Sequence, residues 1–263
     1  MGRRWRAPVA VFGLVLGACA STSAPTPPTG GAASPQPMVT APATTTPVRR
    51  LLLVGDSVMD EIAPAVRAAL AGRAEVAYVL TIGAVGVPPD WDAVWPKAVA
   101  EHRPDAVAVL VGAWEGRDLP GAPFGSPSWL AWYRSRLDAW AGALSAGGAT
   151  VWWFGTLPVR DAGAEPRFAV LDREYRALAA RSPAVAFIDT RAVLGPAYRE
   201  FDGSVRLRRT DGLHLCPAGT VRLVAALVAA LGVTPAPGWE TAPWRHGPPA
   251  YDPTECPATG AGS

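Results

Sequence analysis

Four apolar residues in a row, Leu51-Leu52-Leu53-Val54, run straight into Gly55 and then the polar pair Asp56-Ser57. A strand that is apolar at every position has no face to give to water. It belongs inside a sheet covered on both sides, which is the usual situation of parallel strands. Parallel neighbours need long crossover connections, and the chain supplies them. An amphipathic helix is expected over Ile62 to Leu70, a strand over Glu75 to Leu80 and a helix over Trp91 to Glu101. Strands over Ala106 to Val111, Thr150 to Phe154 and Ala184 to Ile188 then alternate with helices over Trp129 to Ala146 and Ala169 to Arg181. A last helix starts at Pro217 and continues through Val221 to Leu231. That alternation predicts an α/β domain with a parallel sheet between two helical layers and right-handed crossovers. Residues 48–235 make one domain of ordinary size.

The end of the first strand is also where chemistry is expected. Open α/β sheets bind ligands at the carboxyl ends of their strands, and Ser57 stands where the first strand passes into a helix. A helix N-terminus offers unpaired N–H groups and a positive dipole end to a developing oxyanion. Taken alone, Gly55-Asp56-Ser57 also suits a helix cap or a turn. A second segment weighs against so modest a role: Asp211-Gly212-Leu213-His214, on a loop just before Pro217. A serine hydroxyl becomes a nucleophile when a base lies within hydrogen-bond reach and a third group orients that base. Ser57, His214 and Asp211 are that set of residue types. His102, expected to end a helix, and His246, in the tail, are not candidates for the base.

These two segments resemble the first and last blocks of the SGNH (GDSL-type) hydrolases, and the likeness runs over roughly residues 48–234. It implies a three-layer α/β/α sandwich with a parallel, flavodoxin-like five-stranded sheet. It also implies Ser57 as nucleophile, His214 as base and Asp211 as its partner. The Ser57 N–H and a glycine of the second block would form the oxyanion hole. Thr81-Ile82-Gly83-Ala84-Val85-Gly86 lies where that block belongs, and Gly86 fits the glycine better than Gly83. The third block departs from the family's Gly-x-Asn-Asp: here it reads Gly112-Ala113-Trp114-Glu115. Losing the Asn donor costs ~10²–10³ in rate where a comparable group is removed. Either the Trp114 indole N–H takes its place, or another group does, or the chain catalyses weakly; the other reading of Trp114 is a packing residue beside the site.

The amino terminus points outward from the cell. Residues 1–19 read as a signal peptide, with basic residues at Arg3, Arg4 and Arg6 and an apolar stretch too short to span a bilayer. It ends Leu16-Gly17-Ala18-Cys19, which resembles a lipobox, with Cys19 the lipidated residue. Residues 20–47, rich in Ser, Thr, Ala and Pro, cannot bury enough surface to fold and read as a tether. Residues 236–263 form a Pro- and Gly-rich tail. Of the 3 cysteines, commitment of Cys19 to lipid leaves Cys216 and Cys256 as a pair for a disulfide in an oxidising compartment. The protein is expected on the extracytoplasmic face of the membrane, lipid-anchored, or secreted.

A formal net charge of +2 gives no electrostatic footprint for nucleic acid. Cys and His fall at no zinc-ligand spacing, and neither metal nor organic cofactor is expected. Arg206, Arg208 and Arg209 are expected as a solvated basic hairpin, the sharper alternative being a contact with an anionic substrate. Among the 11 Trp, residues Trp91, Trp95, Trp114 and Trp129 are placed either as stacking surfaces for sugar rings or as core. The expected activity is hydrolysis of O-acyl esters, acetyl foremost, on envelope carbohydrate. The alternatives are an O-acyltransferase with the same triad and a non-catalytic glycan-binding lipoprotein.

Overall fold

The structure is a computed structural model that describes residues 47–80, 91–246 and 255–256. Five strands form one parallel sheet: β1 (Arg50–Gly55), β2 (Glu75–Leu80), β3 (Ala106–Leu110), β4 (Thr150–Phe154) and β5 (Val185–Ile188), in the order β2-β1-β3-β4-β5. The interior strand β1 is flanked in register, with Leu52 between Ala77 and Val107. Its unbroken apolar run serves two cores at once. Leu51 and Leu53 join one apolar cluster with α1 (Ser57–Ala69) and α6 (Pro217–Ala230); Leu52 and Val54 join the other with α2 (Trp91–His102), α3 (Pro127–Leu144) and α4 (Glu165–Arg181). This is the three-layer, flavodoxin-like arrangement that the sequence pattern predicts.

Helix boundaries differ where polar residues open a helix. α1 begins at Ser57 rather than Ile62, because the Asp56 carboxylate accepts the Val58 N–H at 3.0 Å and caps the first turn. α4 starts at Glu165 rather than Ala169, with a proline in its first turn. The short α5 (Thr190–Leu194) has no counterpart in the sequence reading, and the two-stranded hairpin of β6 (Phe201–Asp202) and β7 (Val205–Arg206) takes in Arg206 alone of the expected basic hairpin.

Of the two readings of Trp91, Trp95 and Trp129, the core one holds: all three are buried beneath the sheet's second face, where Trp91 stacks on Trp95 at 4.8 Å and Trp129 on Tyr133 at 4.6 Å. One expectation is corrected: the three arginines are not a solvated patch. Arg206 pairs with Glu200, Arg209 pairs with Glu61 at 2.9 Å, and Arg208 is buried and donates to the Pro158 carbonyl at 2.6 Å. Burial pushes the Arg208 guanidinium down to about 10. The cluster fastens the chain ahead of Asp211 to the domain.

Candidate active site

The strand order reverses direction between β1 and β3, and the loops leaving these two strands meet at the carboxyl edge of the sheet. The Asp56 N–H donates to the Leu110 carbonyl at 3.2 Å, joining the strand ends directly. Gly55 is required there: a Cβ on it would stand 2.2 Å from the Leu110 carbonyl oxygen. The Asp56 carboxylate then spans the gap. It accepts the Val58 N–H on one side and the Ala113 N–H, at 3.2 Å, on the other. Burial pushes this carboxyl up to about 6, against the pull of those N–H groups and of His214. Ser57, half-buried, is therefore presented by a helix start whose geometry is fixed from both loops. Its own N–H has no acceptor among the described residues.

The second half of the site is the loop before α6. Gly212, at φ +79°, turns the chain where a side chain would strike Arg160, and its N–H donates to the Arg209 carbonyl at 3.2 Å. One Asp211 oxygen accepts the Leu213 and His214 N–H groups at 2.8 and 2.9 Å. The other lies 2.6 Å from His214 Nδ1. Burial alone would raise the Asp211 carboxyl, but these N–H groups and the imidazole hold it below the usual carboxylate range. With Nδ1 engaged, His214 Nε2 faces Ser57 Oγ at 2.9 Å, across 157 residues of sequence. Ser57, His214 and Asp211 are thus brought into one hydrogen-bonded chain. It can move a proton from a hydroxyl to an imidazole whose charged form a carboxylate stabilises.

The loop after β3 holds Gly112, Ala113, Trp114 and Glu115. Glu115 turns inward and is buried, accepting the Trp114 N–H at 3.2 Å. Burial, and the charge of Asp56 beside it, push its carboxyl up to about 8. Trp114 is half-buried with the Arg117 guanidinium 4.7 Å over its ring. Its indole N–H has no acceptor among the described residues. Gly86 and Cys19 lie outside the described residues. Cys216 and Cys256 are joined by a disulfide, two residues beyond His214, which fixes residue 256 beside the loop that bears His214.

Sequence reasoning did not single out Glu61, whose carboxylate is buried under this loop. A signal was present. Val58, Glu61, Ile62 and Ala65 share one face of α1, so a carboxylate interrupts an otherwise apolar stripe. Burial pushes Glu61 up to about 7, opposed by the Leu215 N–H, His214 and Arg209.

Next to Asp56, a recess of about 10 Å³ is lined by Val58, Gly112, Thr156, Leu157 and Leu213 among others, though not by Ser57 or His214. A far larger cavity, about 620 Å³, opens at the other end of the sheet, around Arg50, Asp105 and Thr150 at the amino ends of β1, β3 and β4. It holds none of the groups just described. Among the described residues, no group of three or more His, Cys, Asp or Glu is placed to hold a metal ion, and no helix is long and apolar enough to cross a membrane.

Residues 50–230 match the sequence profile of the family described as "Protein of unknown function (DUF459)". No curated protein matches the sequence. Solved structures do match. TesA is 23% identical, with 70% of this chain and 98% of that one covered and a TM-score of 0.51. The C-terminal catalytic domain of the Streptococcus pneumoniae peptidoglycan O-acetyltransferase OatA is 15% identical, with 71% and 94% covered and a TM-score of 0.50. Axe2, an acetylxylan esterase from Geobacillus stearothermophilus, is 17% identical, with 70% and 94% covered and a TM-score of 0.50. At these identities the likeness is one of fold, which is that of the SGNH hydrolases.

Proposed function

The chain belongs to the DUF459 family, an SGNH-like family, and from that premise we propose a serine esterase that removes short O-acyl groups, acetyl above all, from envelope carbohydrate. The observation that carries this reading is the chain of contacts at 2.6 Å from Asp211 to His214 and 2.9 Å from His214 to Ser57, at the carboxyl edge of the sheet. Ser57 Oγ attacks the ester carbonyl while His214 Nε2 takes its proton. Asp211 keeps the ring in the tautomer that leaves Nε2 free and stabilises the imidazolium. The oxyanion is bound by the N–H groups of Ser57 and Gly86, with the Trp114 indole N–H in the position the family gives to Asn. His214 then protonates the leaving sugar oxygen. Water, activated by the same imidazole, releases the acid from Ser57.

Two of the matching structures, OatA and Axe2, are named for acetyl groups on carbohydrate, which agrees with this substrate class. The disulfide between Cys216 and Cys256 suits an oxidising compartment, and so agrees with export through residues 1–19 and lipidation at Cys19. Two acyl chains or more on Cys19, at ~0.8 kcal/mol per buried methylene, would hold the domain at a membrane surface by the tether of residues 20–47.

The test is release of p-nitrophenol from the acetyl ester by the wild-type protein, with loss of at least ~10⁴-fold in rate for Ser57→Ala. A fluorophosphonate probe should label Ser57. The octanoyl ester should be a far poorer substrate than the acetyl ester. Equal rates for wild type and Ser57→Ala would reject the esterase and leave the glycan-binding reading. Acetyl recovered on an added sugar hydroxyl in preference to water would make the protein a transferase. For the anchor, Cys19→Ala should move the protein from the membrane fraction to the medium.

A further inference from the structure

Ser57 and His214 sit on separate parts of the fold, so their 2.9 Å contact depends on how the loop carrying His214 is seated against α1. Part of that seat is a buried carboxylate on α1. Glu61 stands one helical turn beyond Ser57 and is only 5% exposed. Its Oε2 accepts the Leu215 N–H at 2.9 Å, and its Oε1 pairs with Arg209 Nη2 at 2.9 Å. Arg209 and Leu215 are the two feet of the loop. The Arg209 N–H donates to the His214 carbonyl at 2.9 Å, its carbonyl accepts the Gly212 N–H, and Arg208 pairs with Leu215 as an isolated bridge. One side chain on the nucleophile's own helix thus holds both ends of the segment that bears Asp211 and His214. Arg209 is also approached from outside: its Nη1 lies 3.9 Å from Glu255 Oε2, and Thr210 Oγ1 donates to Glu255 Oε1 at 2.8 Å.

Stability gives no reason for a carboxylate here. A buried ion pair is commonly matched or bettered by apolar residues of similar volume, and the neighbouring positions Val58, Ile62 and Ala65 are apolar already. What an apolar residue cannot do is fix the direction and length of two contacts at once. We propose that Glu61, acting with Arg209, is the positioning residue that sets the distance between Ser57 Oγ and His214 Nε2 in the esterase reaction on which this inference rests. It touches neither substrate nor reacting atoms. Its effect passes through the loop, and a displacement of about 1 Å at a reacting group can cost ~10²-fold in rate.

Two variants separate its contacts. Glu61→Gln keeps an acceptor for the Leu215 N–H and loses the charge opposite Arg209; Glu61→Leu loses both. With p-nitrophenyl acetate, kcat should fall about 10-fold for Glu61→Gln and about 100-fold for Glu61→Leu, with KM within twofold of wild type. Thermal unfolding of each protein separates folded fraction from rate. The imidazole proton resonances of His214 are followed in parallel, and they should shift in both variants. They read the seating of the loop whether or not the protein turns over an ester, so failure of the esterase reading and failure of this one are distinct. A folded Glu61→Gln with wild-type kcat and wild-type His214 resonances overturns the proposal, and it remains informative if Glu61→Leu does not fold.

Discussion

Ser57 depends on its neighbours as much as on its hydroxyl. Asp56 fills the capping role that Gly-Asp-Ser suggests, through Val58, and in addition ties α1 to the third block through Ala113. The sequence could point to Ser57, His214 and Asp211, the members of the hydrogen-bonded chain, because each lies in a segment of three or four residues whose local geometry does most of the work. Asp211 reaches His214 within one turn of chain. Glu61, Glu115 and Arg208 were not legible in this way, because their burial comes from elements far away in sequence. Trp114 stands between these cases. Its position is read from the block, while the freedom of its indole N–H is visible only in the fold. If that N–H serves the oxyanion, Trp114→Phe, which keeps the aromatic bulk and removes the donor, should lower kcat by ~10² with little change in KM. Steady-state kinetics on the acetyl ester measure this directly. An unchanged kcat would assign the oxyanion to backbone N–H groups alone.

At the scale of elements, apolar runs located β1, β3, β4 and β5, which are buried on both faces and so nearly apolar throughout, while the edge strand β2 is only half-buried and opens on Glu75. Helix starts were harder. Ser57 to Glu61 looks polar along the sequence, yet it is the first turn of α1 and is largely buried. The junction of β1 and α1 has no spare room. A Cβ at Gly55 would also come within 2.6 Å of Met59 Cβ, so relief would have to come from the backbone at Leu110. Gly55→Ala should cost about 3 kcal/mol, the upper end of what overpacking costs, and should lower kcat in the folded fraction by displacing Ser57. Urea titration paired with active-site labelling separates these two effects.

The whole molecule carries an unusual set of buried acids. Asp56, Glu61 and Glu115 are raised from 3.8, 4.5 and 4.5 to about 6, 7 and 8, with burial the largest cause in each. A raised acid binds its proton more tightly in the folded chain than in the unfolded one. Its contribution to stability is complete below the unfolded pKa and is lost as pH rises through the folded pKa. The domain should therefore lose stability between about pH 4 and about pH 8, by at most ~1.4 kcal/mol per pH unit for each group. Asp211, lowered in the folded state, acts in the opposite direction and only below about pH 4. Urea unfolding at pH 5 and pH 8.5 should show the lower midpoint at pH 8.5. Glu115→Gln should narrow that difference. A higher midpoint at pH 8.5 in the wild type would contradict the account.

The polypeptide joins the sheet at Arg50, while Ser57 stands just past the other end of the same strand. Six residues of extended chain separate these points by ~20 Å. Anything fastened ahead of Pro47, whether a resin, an electrode or a fused partner, therefore grips the domain by its hind edge. The working mouth is left facing the bulk liquid, so immobilisation through the amino end is the orientation in which this protein should keep its turnover on large, insoluble material.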